Sequence, residues 1–149
     1  MAVTQRSASD PILGNGALVP GKLALAVEVL GIYVRVRWLV LRRGAVPAVS
    51  ALRDGAEAQA VDDPDGTRVI RGRRFGRAVM RVLRLVPADS NCLMRSLVLT
   101  RLLARRGVYA KVVIGVRPEP NFAAHAWVEV DGQPMLPTGA SNYDRLVEI

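Results

Sequence analysis

The stretch that decides the fold runs from DSNCLMRSLVLTRLLARRG (89–107) through YAKVVIGVR (109–117) to FAAHAWVEVDGQP (122–134). Asp89, Ser90 and Asn91 carry oxygens able to accept from the free N–H groups at a helix start, and Gly107 suits a left-handed helix stop. The spacing between them predicts a helix from about Cys92 to Arg106. Residues 109–117 and 122–130 read as strands, joined by the loop RPEPN. Asp131-Gly132 is the strongest hairpin signal in the chain, and QPMLP returns as a third strand. A two-residue loop pairs Val130 with Gln133 and sets His125 opposite Thr138.

Working back towards the N-terminus, Phe75, Ala78, Val79, Val82 and Leu83 fall at helical spacing, with Arg71, Arg74, Arg77, Arg81 and Arg84 on the remaining positions. This predicts an amphipathic helix over 71–85, stopped by Pro87. VDDPDGT (61–67) is a loop, and Ala48–Ala60 a second short helical candidate. Residues 21–43, GKLALAVEVLGIYVRVRWLVLRR, are the most apolar stretch. Glu28, Arg35 and Arg37 lie inside it, each costing about 2.5–3.5 kcal/mol at a bilayer centre, so a spanning helix is not expected. A buried or interfacial helix fits, with peripheral membrane contact left open. The alternation of Val34, Val36, Trp38 and Val40 also permits a strand. Helices first and an antiparallel sheet afterwards make the class α+β. Residues 1–66 form an N-terminal helical region and linker, and 67–149 the core, within one compact domain.

The composition agrees with a globular chain: 149 residues, half of them apolar and 23% charged. The N-terminal MAVTQRSASD has no basic stretch followed by an apolar run, and a single cysteine forms no internal disulfide, so a cytoplasmic location is expected. The formal charge of +8 is mostly arginine; from Arg68 to Arg106 eleven arginines face one acid, Asp89. Such a block calls for an anionic partner or is a solvated helix face. Aromatics are only 5%, and Phe75 alone interleaves with the arginines, so stacking platforms for nucleic acid are absent.

The chain holds one cysteine and one histidine. By default a lone cysteine is a small buried hydrophobe and a lone histidine a packed or surface residue. Position changes that reading. Cys92 sits in the first turn of a helix, where unpaired N–H groups and the helix dipole favour a thiolate and can donate to an oxyanion. His125 lies on a strand of the sheet that this helix should cover, where it can act as the base. Trp127 and Glu129 share its face by period two and are candidates for the substrate cleft, as is Ser96, one turn after Cys92.

C-L-x-R-S-L at Cys92 to Leu97, R-R-G at Arg105 to Gly107, I-G-V-R at Ile114 to Arg117 and H-A-W-V-E-V-D-G at His125 to Gly132 together resemble the transglutaminase-like leader peptidases of lasso-peptide biosynthesis. The likeness covers roughly residues 75–134. It implies a transglutaminase-like or papain-like core and a cysteine endopeptidase with Cys92 and His125 as the catalytic pair. The substrate would be a ribosomally made precursor, whose leader is removed before macrolactam closure. It also implies two partner proteins, a separate leader-recognition protein and a cyclase resembling asparagine synthetase, and neither metal nor other cofactor. Where that family carries an acidic residue to orient the imidazole, this chain has Pro137. Thr138, Asn142 and Asp144 are the candidates to replace it; Asp131, about 20 Å along the strand, reads as a turn residue. The missing acid motivates an alternative, a non-catalytic subunit that binds precursor or activates the cyclase. Transglutamination would use the same pair, and nucleic-acid binding ranks last.

Overall fold

The computed structural model describes residues 18–43, 66–86, 92–118, 121–136 and 143–148, with side chains from residue 21 onward except that of Arg43. The short helical candidate 48–60, the cap residues Asp89 to Asn91, Pro137, Thr138 and Asn142 lie outside them.

Among the described residues three helices precede the sheet: α1 (Leu18–Arg43), α2 (Thr67–Leu83) and α3 (Cys92–Ala104). The strand alternative for 21–43 gives way to helix because helical spacing gathers Val29, Ile32, Tyr33 and Val36 on one buried face. The opposite stripe of α1, including Leu23, Val27, Val34, Trp38 and Leu41, is exposed. Among the described residues no helix is long and apolar enough to cross a membrane.

No residue of α3 is exposed. It packs against α1, α2 and the sheet, and its Leu97, Val98, Leu99, Leu102 and Leu103 form the centre of the core. Its end is a left-handed stop at Gly107, φ 68°. The Val108 N–H donates to Leu103 O and the Gly107 N–H to Ala104 O, both at 3.1 Å, which satisfies carbonyls the helix would otherwise leave open.

The sheet is antiparallel with order β3-β2-β1-β4. β1 (Lys111–Arg117) and β2 (Ala123–Val130) pair along their length, with Gly115 opposite His125 and Val113 opposite Trp127. Asp131 and Gly132 both take positive φ, 50° and 72°, the geometry of the tight hairpin turn. Val130 pairs with Gln133 as the loop length predicts, but β3 is only Gln133–Pro134. β4 (Asp144–Glu148) pairs with the other edge of β1 and was not anticipated from the sequence. Val112, Val128 and Val130 turn to the helices and join the main core, to which Val29, Ile32 and Val36 of α1 also belong.

α2 approaches the residues after β3 closely because Gly72 and Gly76 present no side chain. A Cβ on Gly72 would strike the Met135 thioether, and one on Gly76 the Met135 backbone carbonyl. This contact fixes Met135 and Leu136, both buried, and the Met135 N–H donates to Val128 O of β2 at 2.8 Å.

Candidate active site

Cys92 is the first residue of α3 and is half-buried. No acid occupies the first turn of that helix. Cys92 and His125 line one small cavity of about 40 Å³, together with Met80, Arg95, Ala126 and Leu136. His125 and Ala126 are strand neighbours with opposite pleats, so a cavity that takes both lies along the edge of β2 rather than over either sheet face. β3 itself is only two residues long and pairs with Glu129 and Val130, not with His125. The cavity has room for a few water-sized groups, enough for a carbonyl oxygen but not for a peptide side chain of any size.

The His125 ring is held by aromatic neighbours. Trp127 stacks at 6.1 Å between centroids with the planes 21° apart, and Tyr143 packs at 5.4 Å and 33°. Arg117 lies over the far ring, 5.5 Å from the Tyr143 centroid. Burial pushes the imidazole below its ordinary pKa, because removing water penalises the charged form. No charged group contributes to that shift.

The other expected site residues are placed as follows. Asp144 pairs opposite Val116, as does Ala124, which puts it on the sheet face away from His125. Thr138 and Asn142 lie outside the described residues. Ser96 is fully buried in α3, and its hydroxyl has no hydrogen-bond partner in the structure. Trp127 and Glu129 share the His125 face as expected, yet both are buried. The Trp127 indole N–H donates to Glu129 Oε1 at 2.8 Å, and Arg145 donates to the same oxygen at 2.7 Å. None of these three lines the cavity beside Cys92. Alternation identifies a strand face but does not show whether it is open; here Arg145 from β4 covers it. Tyr143 escaped the sequence reading, since only the unforeseen pairing of β4 brings it to His125. Asp131 is a turn residue, as expected. Among the described residues no group of three or more His, Cys, Asp or Glu side chains is arranged to hold a metal.

A buried helix opening on the one cysteine, set beside an antiparallel sheet that carries the one histidine, is the arrangement expected of a transglutaminase-like or papain-like core. The chain belongs to the transglutaminase-like superfamily, whose model matches residues 27–149. It is also similar to the microcin J25-processing protein McjB of Escherichia coli, at 52% identity over 44 residues, which is 30% of this chain and 21% of that protein. The match therefore spans only about a fifth of that relative's length. No solved structure matches.

Proposed function

We propose that the protein is a cysteine endopeptidase that removes the leader from a lasso-peptide precursor, with residues 67–149 as the catalytic core. The observation that carries this reading is the shared cavity of Cys92 and His125. The superfamily match and the partial likeness to a microcin-processing protein support it.

In the proposed reaction His125 accepts the thiol proton as the Cys92 sulfur attacks the scissile carbonyl carbon. The negative charge that develops on the carbonyl oxygen is stabilised by N–H groups at the start of α3. Collapse breaks the C–N bond, and His125 returns its proton to the leaving amine, which becomes the N-terminus of the core peptide. Water, deprotonated by His125, then cleaves the thioester and regenerates the thiol. A neutral imidazole is the form this sequence requires, and burial favours it. The Trp127 and Tyr143 rings position the base where an acidic residue would otherwise do so. The partners in this reading are the precursor, a separate leader-recognition protein and an asparagine-synthetase-like cyclase.

The test is leader removal from purified precursor with the partner proteins present, followed by mass spectrometry. Cys92→Ala should abolish cleavage while the circular dichroism spectrum stays native. Full processing by that variant would end the peptidase reading. One rival is a non-catalytic subunit that binds precursor or activates the cyclase, motivated by Pro137 at the position where the leader-peptidase family carries an acidic residue. For that subunit Cys92→Ala would leave product formation unchanged. Joining of the acyl group to an amine instead of water would show in the product mass.

A further inference from the structure

The cavity at Cys92 is too small to read a side chain, so selection among peptides has to draw on another surface. A groove of about 640 Å³ lies between α1 and α2. Its floor is apolar: Leu25 and Ala26 from α1, Phe75, Ala78 and Val82 from α2, and Leu85 just after it. Its rim is cationic, formed by Lys22, Arg71, Arg74 and Arg81, and no acid among the described residues lines it. The ion pairs seen among the described residues engage Arg105, Arg106, Lys111 and Arg145 instead, so these four charges have no acidic partner among the described residues.

We infer that this groove docks a peptide segment with carboxylates flanking apolar side chains, supplied by the precursor. The supplier rests on the peptidase reading; the binding chemistry does not. A concave apolar floor of this volume accepts side chains, whereas a bilayer presents a flat surface on this scale. Nucleic acid fits poorly: the one aromatic ring in the groove, Phe75, is covered by the Arg106 guanidinium at 4.5 Å, which occupies its stacking face. On α2 the groove residues recur at i, i+3, i+4 and i+7, so apolar and basic positions alternate along one stripe and match an amphipathic acidic ligand. The same helix carries Met80, a wall of the Cys92 cavity. A docked segment would thus lie about one helix diameter, roughly 10 Å, from the nucleophile, close enough to set which bond reaches it.

The experiment uses the full chain carrying Cys92→Ala and a short fluorescein-labelled peptide with Glu and Leu at helical spacing, read by anisotropy. Binding should weaken about tenfold or more when Arg74→Glu and Arg81→Glu are combined. Ala78→Trp, which fills the floor without changing charge, should weaken it as well. Arg77→Glu, an exposed charge on α2 that does not line the groove, should leave it nearly unchanged, and thermal melts confirm that each variant is folded. Equal loss from Arg77→Glu would overturn the proposal, since the attraction would then be diffuse. So would equal affinity for a peptide with Ser in place of Leu. Failure of the peptide to bind, while vesicles of phosphatidylcholine with phosphatidylglycerol do, would overturn it in favour of a lipid surface. Absence of leader cleavage by the wild type would count against the peptidase reading and leave this binding result standing.

Discussion

Arg106 grips Glu28 with both terminal nitrogens, Nη2 at 2.6 Å from Oε2 and Nη1 at 3.3 Å from Oε1. The same guanidinium donates to Leu102 O at 3.2 Å and lies over Phe75, so one side chain ties together α1, α2 and the end of α3.

Glu28→Gln should therefore lower stability by about 1 kcal/mol, a few degrees in melting temperature. Hydrogen bonding from Arg106 holds the Glu28 carboxyl below its ordinary value of 4.5. A carboxyl with a depressed folded pKa contributes stability above its unfolded value and loses it as pH falls through the folded one. Melts of the two proteins should differ at neutral pH and converge in acid below pH 4.5. A gap that persists unchanged there would mean that the ion pair is not its source.

Two helical glycines should respond oppositely to the same change. Gly76→Ala drives a methyl into the Met135 carbonyl, a backbone group held to β2 by the bond from the Met135 N–H to Val128 O. A loss of about 1–3 kcal/mol is expected, read by urea denaturation. Gly31→Ala meets nothing within 4 Å and should gain about 0.5–1 kcal/mol from helix propensity.

Glu129 is a buried carboxylate whose side chain is 8% exposed and depends on Trp127 and Arg145 for its hydrogen bonds. Arg145→Ala should lower the melting temperature, because it leaves the buried Glu129 carboxylate with one donor fewer. Adding Glu129→Gln should recover part of the loss. A double variant no more stable than Arg145→Ala alone would show that the cost came from loosening β4 instead.

The single histidine gives a clean proton NMR titration. Its pKa should fall below the ordinary 6.5, since burial disfavours the imidazolium. Under the peptidase reading the acid limb of kcat/KM should follow the same value, with the neutral base persisting to lower pH. Tyr143→Ala exposes the ring and should move both titrations up towards 6.5. A kinetic limb that stays in place while the NMR titration moves would remove His125 as the base.

The elements bounded by strong local chemistry were legible in the sequence. Gly107 stops α3 and Asp131-Gly132 turns the hairpin because few other residues tolerate positive φ. α1 was ambiguous because its β-branched residues satisfy both periods, and only the buried partners of Val29, Ile32 and Val36 decide for helix. β4, DRLVE, has no apolar pattern to read: every residue in it is exposed. Pairing with β1 and the contacts of Arg145 hold it, and neither is local in sequence. That Cys92 and His125 were candidates was legible because each residue type occurs once. The burial of Ser96 was not, because a helix enclosed on all sides has weak amphipathicity, and its spacing gives no hint of which face is covered.

The enclosure of α3 bears on how the site tolerates change. A helix with no exposed residue exchanges its amides only through large-scale opening, so its hydrogens should be among the last to exchange in deuterated solvent. The Cys92 sulfur, at the first residue of that helix, then keeps its place while less enclosed described segments fray. The same arrangement makes the thiol sensitive to distant repacking: a methylene added at Leu99 or Leu102 would shift the whole rod, and Cys92 with it.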